Sequence, residues 1–315
     1  MIRRIFSFTT LLVLTACDPG GIDDDDDGAL LPEGFEFGEV ETEDGNVGYV
    51  QGGEGPALVL LHGWPQSWYE WHVVMPSLAA DYTVIAPDLR GIGRSAPAEA
   101  GFDKVRMAAD VHLLLTDLGL EQGPIIVGHD IGGMTAYAYA TEYPGEASKV
   151  VIADVPLPGV DPFDLVATDP RAWHFGFHQG EEGIAETLVE GREYEYFRWF
   201  TDHVGFADDA IPDEDVEVFA EAYRAEGALT AGFEWYRAFP ADAERNAAND
   251  VALDTPILVM GGEYSAGPLL ELFEAALEAK HGAPVETYFV EGAGHWLPEE
   301  QPESFLTGLE AFLAR

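Results

Sequence analysis

The stretch Val127-Gly128-His129-Asp130-Ile131-Gly132-Gly133 follows a short apolar run, Pro124 to Val127, and precedes a small-residue helix predicted over Gly132 to Tyr143. Strand, sharp turn and helix in that order lift one side chain, here Asp130, off the strand end and into a pocket. The flanking glycines let the backbone turn that tightly. Read alone, Asp130 could equally be a turn residue capping the helix. As a nucleophile it would need no base, because an aspartate with a reference pKa of roughly 3.9 is ionised at neutral pH. Displacement at carbon would then leave an ester on the protein. Epoxides and alkyl halides suit such chemistry; peptides and ordinary esters do not.

Working outward, apolar runs and helical periodicity alternate along most of the chain. Phe35 to Val40 and Val47 to Gln51 read as a hairpin around Asp44-Gly45-Asn46. Ala57 to Leu61 is a buried strand ending in His62-Gly63-Trp64-Pro65, Trp68 to Leu78 a helix, and Tyr82 to Ala86 the next strand. Lys104 to Leu118 carries apolar residues at helical spacing, and Lys149 to Ala153 is a strand. The alternation resumes with Pro256 to Met260, Leu269 to His281, Glu286 to Val290 and Glu303 to Arg315. These runs predict an α/β fold with an eight-stranded, mostly parallel sheet covered on both faces. From Pro156 to about Asn246 the pattern changes to aromatic and acidic residues with helical segments such as Ile184 to Phe200 and Asp213 to Arg224. That stretch reads as an inserted helical cap. The expected division is a core of residues 33–155 and 247–315 around a cap of 156–246.

At 47% hydrophobic, the 315 residues can bury a sizeable core. Fifty-eight acidic against 15 basic residues give a net charge of −43, which excludes nucleic acid as a partner. Arg3 and Arg4, then the apolar Ile5 to Leu14, have the layout of a signal peptide, too short for a comfortable transmembrane helix. Leu14-Thr15-Ala16-Cys17 resembles a bacterial lipobox, in which the cysteine is lipidated and becomes the first mature residue. Cys17 is the only cysteine, so it has no disulfide partner in the chain. The run Asp18-Pro19-Gly20-Gly21-Ile22 and the aspartates Asp23 to Asp27 read as a self-repelling tether. Residues 1–17 are therefore expected to be a lipoprotein signal peptide and 18–32 an acidic flexible tether. The domain would sit in the bacterial cell envelope, membrane-anchored through Cys17 on the periplasmic or outer side, with secretion as the alternative. Whether it forms a homodimer stays open.

Further residues could join Asp130 in chemistry. Gly292-Ala293-Gly294-His295-Trp296 follows the last strand, and among nine histidines His295 is the one a glycine-rich loop could swing over the turn to activate water. An acid to orient it is offered by Asp154, at the end of the sixth strand in Ile152-Ala153-Asp154-Val155-Pro156, with Glu263 as the alternative. His62 reads as a structural side chain. No His, Cys and carboxylate residues cluster at metal-ligand spacing. Asp88 to Ser95 is glycine-rich but lacks the lysine and spacing of a phosphate loop. Neither metal nor cofactor is expected.

Taken in this order, Phe35 to Arg315 resembles the aspartate-nucleophile α/β-hydrolases, which include epoxide hydrolases and dehalogenases. An acid 24 residues after the nucleophile, on strand six, is similar to the layout of Cif-type epoxide hydrolases and fluoroacetate dehalogenases. The resemblance implies that Asp130 stands on a nucleophile elbow, that the backbone N–H groups of Trp64 and Ile131 form an oxyanion hole, and that His295 activates water. The family's common acid site, Gly-Glu-x-Asp after strand seven, reads Gly262-Glu263-Tyr264-Ser265 here, with serine in the aspartate slot. Ala172-Trp173-His174-Phe175-Gly176-Phe177 resembles the Cif-type segment whose histidine contacts the epoxide oxygen, and Phe233-Glu234-Trp235-Tyr236-Arg237-Ala238 the one that supplies a tyrosine. His174 and Tyr236 are thereby implied as a ring-opening pair, against the alternative of aromatics that only pack the cap. Fluoroacetate dehalogenases carry an arginine after the nucleophile and a tryptophan after the cap histidine; this chain has Ile131 and Phe175. What the resemblance implies is hydrolysis of a small apolar epoxide to a vicinal diol through an Asp130 ester. Haloalkane or haloacid dehalogenation is the first rival, and a lipid-tethered binding protein without turnover the second.

Overall fold

The computed structural model describes residues 30–42, 45–95, 98, 100–207 and 210–315. The expected targeting segment, Cys17, the aspartate run and Asp44 of the expected hairpin turn lie outside the described residues.

Ala57–Leu61 (β3), Ile125–His129 (β5), Lys149–Ala153 (β6) and Ile257–Gly262 (β7) are apolar runs buried almost throughout. A strand can be apolar on both faces only where both are covered, which puts these four at the centre of a sheet. Around them lie Phe35–Thr42 (β1), Gly45–Gly52 (β2), Thr83–Pro87 (β4) and Val285–Val290 (β8). The eight strands run in the order β1-β2-β4-β3-β5-β6-β7-β8. β2 is antiparallel to both its neighbours and every other pairing is parallel. This is the mostly parallel eight-stranded sheet that the apolar runs predict. The helix Lys104–Leu118 begins where the Asp103 carboxylate accepts the Arg106 N–H and ends at Gly119, whose φ of 69° is left-handed.

Two helices expected from periodicity are interrupted. Trp68 to Leu78 consists of a 3₁₀ turn, Trp68–Trp71, and a short helix, Met75–Leu78. Pro76 has no N–H to bond to the preceding turn, so a helix starts there and does not pass through. Ile184 to Phe200 divides into Ile184–Val189 and Glu193–Val204. Between them Gly191 takes φ 74°, a left-handed conformation that a right-handed helix cannot contain.

Between β6 and β7 the described residues form helices and no strand, from Phe163–Ala167 to Phe239–Ala248. They pack on Trp64, which leaves the sheet just after β3. The rings of His178, Phe200, Phe197 and Tyr236 lie 4.4, 4.9, 5.6 and 5.7 Å from its indole. A buried ion pair ties the same helices to the core: Lys104 Nζ is 3.0 Å from Asp242 Oδ2 and donates to the Trp235 carbonyl at 2.6 Å. Tyr236 is therefore held from both sides, by its edge-on contact with Trp64 and by the anchoring of the residue before it.

Candidate active site

Asp130 stands between β5 and the helix Ile131–Glu142 with φ 48° and ψ −124°, a conformation non-glycine residues rarely adopt. The turn closes because its neighbours lack side chains. A Cβ on Gly128 would meet the Gly132 carbonyl oxygen at 2.1 Å, and one on Gly132 would meet the Leu61 oxygen at 2.0 Å. Facing the turn, Gly63 leaves room for Asp130 itself, whose Cβ a Gly63 side chain would meet at 2.5 Å. The Trp64 N–H donates to Asp130 Oδ1 at 3.0 Å. Ile131 opens the helix, so its N–H is among those without an intrahelical acceptor, at the end where Asp130 sits.

Asp154 stands in the equivalent place after β6, again with positive φ, 50°. Its Oδ1 accepts from the Gly262 and Ala266 amides at 2.8 and 3.1 Å; its Oδ2 accepts from Ser265 Oγ at 2.6 Å and His295 Nδ1 at 2.7 Å. A carboxylate so engaged fixes the histidine tautomer. With Nδ1–H donated to Asp154, Nε2 keeps a free lone pair, and it lies 3.7 Å from Asp130 Oδ2. That gap is too long for a direct hydrogen bond and short enough for one water to touch both groups. Glu263, the alternative acid, is elsewhere: its Oε2 accepts the Gly292 N–H at 3.0 Å, fixing the loop that carries His295. Serine in the expected aspartate slot has its own use, since Ser265 donates to the acid that replaced it.

His174 and Tyr236 come together, their ring centres 5.9 Å apart, with His174 stacked on Trp64 and Tyr236 meeting it edge-on. Burial lowers the His174 imidazole to about 4, with the Asp130 charge opposing it. Burial also raises the Tyr236 phenol well above its usual range, and the Asp130 charge adds to it. Both groups feel the same carboxylate, and at neutral pH both are uncharged donors. His62 is structural: fully buried and held at about 4 by that burial, it accepts from the Leu89 N–H at 2.9 Å and faces the Gly63 carbonyl at 2.9 Å. Among the described residues no group of three or more His, Cys, Asp or Glu could hold a metal ion.

One side chain beneath the turn carries the opposite electrostatics. Burial alone would lower His129, but Glu70, Asp130 and Asp154 outweigh it and raise the imidazole to about 9. These shifts set a pH window for stability. His62 and His174 bind protons more readily when unfolded, so their contribution is full above 6.5 and drains away as pH falls toward about 4. His129 does the reverse: its contribution is full below 6.5 and lost as pH rises through about 9. Thermal melts across this range should peak near pH 6.5, each group contributing on the order of 1–3 kcal/mol. A flat alkaline limb would show that His129 is not charged.

Residues 56–302 match the model of the alpha/beta hydrolase fold family. The chain is 35% identical over 275 residues to the soluble epoxide hydrolase of Corynebacterium sp. (strain C12), covering 84% of this chain and 92% of that one. It is 31% identical over 293 residues to a fluoroacetate dehalogenase of Burkholderia sp, covering 90% and 95%. Among solved structures, Cfl2 from Burkholderia cenocepacia matches with a TM-score of 0.82 at 31% identity, over 89% of this chain and 96% of that one.

Proposed function

Because the chain belongs to the α/β-hydrolase fold family, we propose that it is a hydrolase that opens epoxides to vicinal diols through a covalent ester of Asp130. One observation carries the reading: Asp130 has one carboxylate oxygen held by the Trp64 amide and the other 3.7 Å from an imidazole that Asp154 orients. Relatives named as epoxide hydrolases support the electrophile.

In the first step Asp130 Oδ2 attacks a ring carbon and the carbon–oxygen bond of the ring breaks. The departing oxygen is held by the Tyr236 hydroxyl and the His174 N–H, takes the Tyr236 proton and ends as a hydroxyl. In the second step His295 Nε2 takes a proton from water, and the hydroxide adds to the ester carbonyl carbon. Negative charge gathers on Oδ1, facing the Trp64 and Ile131 amides. Collapse expels the diol, whose second oxygen is the former Oδ2 and takes the proton from His295; the proton left on the Asp130 carboxyl then restores the Tyr236 phenol. A single turnover in heavy-oxygen water should therefore label the Asp130 carboxylate and leave both diol oxygens light. Label in the diol and none on Asp130 would overturn the covalent reading.

Asp154 beside His295, together with the His174 and Tyr236 pair, supports the Cif-type subgroup. Tyr236→Phe is expected to slow ester formation by roughly 10²-fold in single-turnover kinetics, since one donor to developing charge is lost. An unchanged rate would remove Tyr236 from ring opening. The second reading, dehalogenation, is favoured by the relative named fluoroacetate dehalogenase. Against a carboxylate substrate stands Ile131, a fully buried apolar residue next to the nucleophile. Styrene oxide set beside a brominated analogue separates the two by diol against bromide release.

Anchoring through Cys17 is proposed from the lipobox and tether. Wild-type protein expressed with its leader should partition into detergent, and Cys17→Ser should stay in the aqueous phase. Equal partitioning would dismiss the anchor.

A further inference from the structure

His129 ends β5, one residue before Asp130. Both His129 and Glu70 are completely buried, with Nδ1 2.9 Å from Glu70 Oε1. On the other edge of the ring, Nε2 lies 2.8 Å from the backbone carbonyl oxygen of His295. A carbonyl can only accept, so Nε2 carries a proton and donates it there. Glu70 comes from the turn after β3, and its second oxygen accepts the Gly63 N–H at 3.0 Å, next to the Trp64 amide. One buried pair thus touches all three segments that meet at the site: the loop of Trp64, the turn of Asp130 and the loop of His295.

The charge on His129 stabilises the fold only given Glu70 beside it. A buried ion pair as a whole can often be replaced by apolar residues of similar volume without loss, so stability alone does not require the pair. The proposed chemistry gives neither side chain a part. What the pair does fix is the backbone of His295 relative to the residue preceding Asp130. We propose that His129 and Glu70 are positioning residues for the hydrolytic step, holding the His295 loop where its imidazole can deliver water to the ester. This rests on Asp130 as nucleophile and His295 as base. Because ester formation needs only Asp130 and the ring-opening donors, loss of the pair should act on the second step.

The test compares wild type, His295→Gln and the double variant Glu70→Leu/His129→Leu, which removes both charges together and orphans neither, with styrene oxide as substrate. When hydrolysis limits turnover, kcat reports the second step and kcat/KM the first. In the double variant kcat should fall roughly 10- to 100-fold, the scale expected of a small misplacement, while kcat/KM stays within about threefold. The ester should then be visible on Asp130 by intact mass at steady state. Should the double variant not fold, His129→Gln, which keeps one N–H donor, is held to the same split with a smaller drop in kcat. A parallel fall of kcat and kcat/KM without adduct, or a wild-type kcat in a folded variant, overturns the assignment. No adduct in His295→Gln overturns His295 as the base of the second step, and this assignment with it.

Discussion

Asp130→Ala should lose essentially all diol formation, with kcat down by on the order of 10⁴- to 10⁶-fold, the range seen when a covalent nucleophile is removed. The size of the loss separates two chemistries that the same site could run. If Asp154 and His295 simply activated water against the epoxide, Asp130 would be a bystander that helps hold the Trp64 loop. Its removal would then leave substantial turnover. Alanine inherits the positive φ of 48° that the aspartate already tolerates, so the turn gains no new strain. The Trp64 N–H would lose its buried acceptor, a cost of about 1–3 kcal/mol. Asp130→Asn avoids that cost by keeping an amide oxygen for Trp64, and it should be equally inactive because an amide cannot displace at carbon. Retained diol formation in both variants, measured by chromatography on folded protein, would sink the ester mechanism.

The parts of this molecule that were legible in its sequence are those encoded by short stretches. β3, β5, β6 and β7 are unbroken apolar runs, which is why the parallel centre of the sheet could be read. The turn at Asp130 could be read because Gly128 and Gly132 sit where any side chain would strike backbone. Helix breaks were harder. Aromatic spacing carried the prediction straight across Gly191, whose left-handed φ appears only once the chain is folded. Long-range pairs left little local trace. Spacing nominated both Asp154 and Glu263 for His295, and only the tertiary arrangement, with Asp154 Oδ2 2.7 Å from His295 Nδ1, separates them. Ser265 donating to Asp154, and Glu70 facing His129, join residues far apart in the chain. The sole hints were a serine where an aspartate was expected and a histidine inside the turn motif.

His295→Gln is the second decisive case, because it should stop the reaction halfway. Asp130 attacks without a base, so ester formation should proceed at close to the wild-type rate. Water activation should fall by about 10²- to 10⁴-fold, the usual contribution of a general base. Ester would then build up to nearly one equivalent per protein, seen by mass spectrometry as an increase equal to the whole epoxide. The substitution is mild on the fold. Glutamine can still offer an N–H toward Asp154, which retains its bonds from Gly262, Ser265 and Ala266. The His129 contact goes to the backbone carbonyl of residue 295 and does not depend on the side chain. A burst of one ring-opening per protein followed by near silence is the expected time course. If turnover falls with no adduct and no burst, His295 must act before or during ring opening, and the proton it handles belongs to the epoxide oxygen and not to water.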